Sequence, residues 1–144
     1  MIRLLRQHNI LRRALTLASS APLYPWVLLA LCAAAYAPLI PRLGFYWDDF
    51  PISWIASTMG GDGLARYFST NRPVWGLIYR TTTPLLGSSP LTWQIFGLLM
   101  RWVTGLALWS LLRQVWPERP RFAAWAVMLF VLYPGFSQQF IAFM

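Results

Sequence analysis

Residues 24–40 and 91–112 are apolar stretches of membrane-spanning composition, and they limit what this chain can fold into more than any other feature. The first contains no charged residue and the second contains one, Arg101. At about 1.5 Å per helical residue the first run covers roughly 25 Å, so flanking residues must help it cross a hydrocarbon core of about 30 Å. The rest of the chain offers little with which to face water. Charged residues make up 11% of the 144 and hydrophobic ones 58%, against roughly 25% charged in soluble domains. The expected fold class is an all-α integral membrane protein with about three transmembrane helices and short juxtamembrane helices in its first extracytoplasmic loop.

Charge sets the expected orientation. All 12 basic residues are arginines, and the net charge is +8. They are scattered along the chain and many flank apolar runs, so a nucleic-acid partner is not expected; topology and contact with anionic membrane lipid account for them better. Residues 1–20 carry Arg3, Arg6, Arg12 and Arg13 and no acid, and the turn from Arg113 to Arg121 carries three arginines and one glutamate. Both should be cytoplasmic by the positive-inside rule, which leaves residues 41–90 outside. The tail reads equally as an amphipathic helix on an anionic leaflet or as a plain cytoplasmic extension. Ala35-Tyr36-Ala37 has the look of a signal-peptide cleavage site, but Pro38 behind it disfavours cutting, so the first span is read as a retained anchor. The third span is expected from residue 122 to 144, where the chain stops within apolar sequence. It therefore reads as a single membrane domain, the start of a longer protein or a truncated frame. Cys32, the lone cysteine, reads as a small buried apolar residue.

Between the first two spans the pattern changes. Ile52, Ile55, Ala56 and Met59 recur at helical spacing, which predicts a short amphipathic helix over 51–59, begun near Asp49 or Phe50 and ended by Gly60-Gly61. A second helix is expected from Asp62 toward Asn71, with Leu64 and Phe68 on one side. Residues 74–86 are apolar but too short to cross and are interrupted by Arg80, Thr81 to Thr83 and Pro84, so they are read as interfacial or re-entrant. In the second span Gln94, Gly97, Arg101, Thr104 and Gly105 share a face that should meet other helices rather than lipid. Arg101 is then more easily a structural contact than a ligand for a carboxylate or phosphate.

The chemistry concentrates in Gly44-Phe45-Tyr46-Trp47-Asp48-Asp49-Phe50, which holds two of the four acidic residues. Two adjacent carboxylates resist double ionisation unless a cation or a helix N-terminus helps, and the helix expected to follow provides the latter. The plainer alternative is that Asp49 caps that helix and Asp48 is solvated. A divalent metal is compatible with the pair, but two adjacent ligands alone make a weak site and no cofactor is otherwise indicated. His8 is the only histidine, and no metal cluster, Ser-His-Asp set or phosphate-binding glycine loop is visible.

The order of elements resembles the N-terminal portion of the GT-C superfamily of membrane glycosyltransferases, which includes protein mannosyltransferases, aminoarabinose transferases and related bacterial cell-envelope enzymes. Trp47-Asp48-Asp49-Phe50 matches the acidic motif that opens their first extracytoplasmic loop, and Asn71-Arg72-Pro73 resembles a recurrent element of bacterial members. The resemblance implies a transferase that moves a sugar from a polyprenyl-phosphate-linked donor to an acceptor on the extracytoplasmic side of the inner or plasma membrane. It assigns Asp48 and Asp49 to catalysis, with Asp48 as the base. Arg72 is the first choice for the donor phosphate, since a guanidinium pairs bidentately with phosphate oxygens; Arg66 and Arg80 are weaker candidates, and Tyr46 is placed at the substrate. Each arginine, and the aromatic residues Trp47 and Trp54, also reads as an interfacial anchor. The alternative function is a non-catalytic small membrane protein, an assembly or glycolipid-translocation accessory subunit, or an inactive truncation.

Overall fold

The computed structural model describes residues 22–133; the basic tail, His8 and the expected third span beyond Tyr133 lie outside the described residues. All regular structure among the described residues is helical. Helix α1 covers Tyr24–Tyr36 and leads into a 3-10 turn at Ile40–Arg42. Helix α2 covers Asp49–Phe68, α3 Pro73–Leu86, α4 Pro90–Val115 and α5 Pro120–Leu132. Proline stands in the first turn of α1, α3 and α5, where a missing N–H leaves no intrahelical bond unmade. Two stretches are long and apolar enough to cross a membrane: Tyr24–Arg42, of 19 residues, and Pro90–Val115, of 26. Helix α5, with 13 residues, is shorter.

The described chain packs as two units, residues 22–38 with 98–133 and residues 39–97. In the first, hydrogen bonds from side chains to main-chain carbonyls tie the helices together. Tyr24 donates to the Ala124 carbonyl at 2.9 Å, and Tyr36 to the Val131 carbonyl at 2.7 Å. These pairs advance together in sequence, so α1 and α5 run parallel. Tyr24 stacks on Trp109 and Tyr36 meets Arg101, which advance oppositely, so α4 is antiparallel to α1. Trp102 donates its indole N–H to the Pro25 carbonyl at 2.9 Å. Gly105 lets α4 approach its neighbours closely; a Cβ there would lie 2.9 Å from Leu28 and 3.0 Å from Val131.

The shared polar face expected on the second span divides in the structure. Arg101 donates to the Tyr36 hydroxyl at 2.7 Å and to the Val131 carbonyl at 3.3 Å, and its guanidinium lies 4.5 Å from the Tyr36 ring centre. Its partners are thus within the described chain. Thr104 is exposed, and its hydroxyl bonds back to the Met100 carbonyl.

The unit of residues 39–97 is built on α2 and α3. Its core is Ile52, Ile55, Ala56, Leu64, Phe68, Tyr79 and Trp93, with Phe45, Leu86 and Phe96 packed against it. The expected break in α2 is present. Gly60 adopts φ 65°, ψ −166°, a conformation that side chains with a Cβ avoid, and it divides α2 into two arms. Met59, expected on the buried face, is exposed, because this turn is the one that the kink redirects. Helix α3 runs unbroken through Arg80, Thr81 to Thr83 and Pro84, the residues that interrupt its apolar sequence. The Thr81 and Thr82 hydroxyls bond to the Ile78 carbonyl, and Pro84 falls in the last turn, three residues before the Gly87 that ends the helix at φ 66°.

Close approach of α2 and α3 depends on two glycines. A Cβ on Gly61 would lie 2.8 Å from the Arg80 backbone, and one on Gly76 would lie 3.0 Å from the Ala65 carbonyl. Gly97, by contrast, has nothing within 4 Å of where its Cβ would be. Gly76→Val should therefore destabilise the protein by about 1–3 kcal/mol through forced backbone separation. Gly97→Ala should stabilise it by up to about 1 kcal/mol through helix propensity. Thermal unfolding in detergent micelles would read both; equal effects of the two would contradict the close packing.

Candidate functional site

The acidic pair is built from the loop upward. Residues 43–46 carry no regular secondary structure, and Trp47 then turns the chain with φ 48°, the one positive φ outside glycine among the described residues. A bulky residue held there stores on the order of 1–3 kcal/mol of strain. What holds it is a reciprocal bracket. The Asp49 N–H donates to the Tyr46 carbonyl at 2.9 Å, while the Asp49 carboxylate accepts the Tyr46 N–H at 3.3 Å. Helix α2 starts within this bracket, and Asp49 occupies its first turn, where the helix dipole favours a negative charge.

The two carboxylates are thereby separated in environment. Asp49 has 0% of its surface exposed, whereas Asp48, its neighbour, is exposed. Asp48 stands at the N-cap position, but its side chain makes no capping hydrogen bond, and its backbone is helical rather than extended. The helix was expected to begin near Asp49 or Phe50; it begins at Asp49, and the side chain that answers a backbone N–H there is that of Asp49, toward Tyr46.

Tyr79, which sequence reasoning did not single out, belongs to this site. It is buried, with its ring 5.3 Å from Phe68, 6.0 Å from Trp75 and 6.0 Å from Trp93. Burial raises its pKa above the ordinary value; the charge of Asp49 adds to the rise and the Arg72 guanidinium opposes it. Asp49 and Arg72 therefore act on one phenol from opposite signs. The signal for Tyr79 was present in the i, i+3, i+7 recurrence of Gly76, Tyr79 and Thr83, all buried.

The remaining candidates divide. Arg72 is exposed, on a backbone fixed at both ends: its N–H donates to the Phe68 carbonyl at 2.9 Å, and its carbonyl accepts from Gly76 at 3.2 Å. Arg80 pairs with Asp62 at 2.7 Å, with 61% and 73% of the two side chains exposed. Such a pair contributes about 0.2–1 kcal/mol and commits Arg80 to joining α3 to the second arm of α2. Arg66 and Tyr46 are exposed, as are Trp47, Phe50 and Trp54. Among the described residues, no three His, Cys, Asp or Glu side chains gather to hold a metal ion. Comparison with protein-family models, with curated proteins and with solved structures finds no match to this chain.

Asp49→Ala should destabilise the protein by about 1–3 kcal/mol, because it orphans the Tyr46 N–H. Asp48→Ala should change stability by no more than about 0.5 kcal/mol. The measurement is the unfolding midpoint of each variant. A second expectation concerns pH. Since the folded-state pKa of Tyr79 lies above its unfolded value of about 10, the stabilisation it provides is whole below pH about 10 and is lost as pH rises toward the folded value. Tyrosinate absorbance should lose one late-ionising residue in Tyr79→Phe, and its retention would contradict the assignment.

Proposed function

We propose that this chain is a multi-pass protein of the inner or plasma membrane, with a cytoplasmic N-terminus, and that its first outward loop carries the catalytic base of a glycosyltransferase using a polyprenyl-phosphate-linked donor. The observation that carries this reading is the division of the acidic pair: Asp49 is buried and clamped, while Asp48 is exposed beside it on a backbone the clamp holds in place. A general base must be presented rigidly and remain reachable. Asp48 meets both conditions.

In the proposed reaction Asp48 takes the proton of an acceptor hydroxyl as its oxygen attacks the anomeric carbon. The bond from that carbon to the donor phosphate breaks, and the lipid phosphate leaves with the electron pair. Arg72 receives the phosphate charge, with Arg66 in support, and Tyr46 borders the sugar. Asp49 serves as a positioning residue through the Tyr46 bracket. Arg80, joined to Asp62, is assigned to structure rather than to the donor.

The membrane part of the reading rests on the two membrane-length stretches and on helix directions. Helices α1 and α5 run parallel with α4 antiparallel to both, as successive crossings require, and Arg113, Arg119 and Arg121 bracket the turn between α4 and α5. The test is sugar transfer in native membranes supplied with a labelled polyprenyl-phosphate sugar. Asp48→Asn should lower transfer by about 10²–10⁴-fold with expression and unfolding midpoint unchanged. Wild-type turnover in that variant would remove Asp48 from the base role.

A further inference from the structure

The two residues inside the Tyr46–Asp49 bracket hold a backbone that their sequence does not favour. The bond from the Asp49 N–H to the Tyr46 carbonyl closes a four-residue turn with Trp47 and Asp48 at its tip. Trp47 has φ 48°, and Asp48 has φ −65°, ψ −16°. A positive φ followed by a negative one is the order of a type II′ turn, whose first central position ordinarily takes glycine. Here that position holds tryptophan, and 70% of the residue is exposed. Burial of the indole in the core therefore does not offset the strain.

Two neighbouring aromatic residues show what is special to Trp47. Phe50 and Trp54 are 63% and 61% exposed and stand four residues apart on α2. A ring that only anchors a chain at a membrane surface needs the right depth and no particular backbone. Phe50 and Trp54 meet that need on helical backbone. Trp47 is held in a costly conformation, and the turn that imposes it puts an exposed indole and an exposed carboxylate on consecutive residues, with Cα atoms about 3.8 Å apart.

An indole beside a carboxylate selects its ligand. The ring offers an electron-rich apolar face, which attracts weakly positive C–H groups. The carboxylate accepts hydrogen bonds from hydroxyls and repels other anions. An acyl or prenyl chain uses the indole and gains nothing from the carboxylate, and a phosphate is repelled by it. A pyranose ring uses both groups, because it carries C–H bonds on its faces and hydroxyls around its edge.

We infer that Trp47 is the platform for the acceptor and that the acceptor is a saccharide, its pyranose ring laid on the indole with one hydroxyl directed to Asp48. This assignment rests on the base role proposed for Asp48 and adds the class of molecule that brings the hydroxyl. Trp47 is then a specificity-determining residue. A serine side chain has no ring to stack and is the poorer acceptor.

The experiment is saturation-transfer NMR on the full chain in phosphatidylcholine nanodiscs, since detergents with sugar headgroups would compete. The probes are methyl β-D-galactopyranoside, methyl β-D-glucopyranoside and N-acetylserinamide. Saturation should reach the ring protons on one face of a glycoside and should not reach N-acetylserinamide. Trp47→Asn and Trp47→Gly suit a positive φ but have no ring, and both should abolish the signal with the unfolding midpoint maintained. Trp47→Phe should retain part of it, and Trp54→Ala should leave it unchanged. Absence of saturation on both glycosides, equal saturation of N-acetylserinamide, or a signal in the ringless variants equal to wild type would each overturn the inference. Equal loss in Trp54→Ala would assign the signal to the aromatic surface at large and also overturn it. Sugar transfer by Asp48→Asn membranes separates the two readings. If transfer falls in that variant while glycoside saturation is absent, the base role stands and only the acceptor class is lost. If transfer stays at the wild-type rate, the base role and the acceptor assignment are lost together.

Discussion

Polar groups withdrawn from water need partners inside the protein, and in a chain with so few charges that requirement determines where the polar side chains sit. Asp49 is the sharpest instance. A carboxylate with no exposed surface survives there because it accepts a backbone N–H from Tyr46 and stands in the first turn of a helix. In the other unit Arg101 answers the same requirement. It donates to the Val131 carbonyl, near the end of α5 where carbonyls lack intrahelical partners, and rests its charge on the Tyr36 ring. The C-terminal end of a helix carries partial negative charge, so a guanidinium there is favourably placed.

The legible part of this fold was whatever local patterning controls. The two apolar runs appear as the two membrane-length stretches, and the break at Gly60-Gly61 falls where a residue without a Cβ permits a positive φ. Leu64 and Phe68, placed on one side by their spacing, are both buried. The threonines and Pro84 of α3 are poor helix formers taken singly. Their tolerance comes from hydroxyl bonds back to Ile78 and from the terminal position of the proline. Met59 lost its predicted burial to the adjoining kink. The partners of Arg101 are separated from it by 65 and 30 residues, and no periodicity encodes such a contact.

The candidate site shows the same division. The acidic pair was visible as a pair, but which member is buried depends on Trp47 adopting φ 48° and on the Tyr46 bracket, neither of which residue identity announces. Tyr79 was missed for a related reason. A tyrosine in an apolar helix with arginine next to it reads as an interfacial anchor until the facing helix is known. Here the facing helix is α2, and its approach is set by Gly61 and Gly76, positions that carry no chemistry of their own.

The arginines between the two membrane-length stretches illustrate how packing assigns roles to residues of one type. Arg80 follows directly on Tyr79 in α3, and Gly61 allows the Asp62 arm of α2 to lie against its backbone, so its side chain is taken up by Asp62. Arg72 precedes the helix. Its main chain is held by Phe68 on one side and by Gly76 on the other, while its side chain faces outward within electrostatic reach of Tyr79. A guanidinium exposed in this way is more open to an incoming anion than one already joined to a carboxylate, although its side-chain rotamers have still to be ordered when the ligand arrives. The distinction between Arg72 and Arg80 thus follows from two glycines and one aspartate.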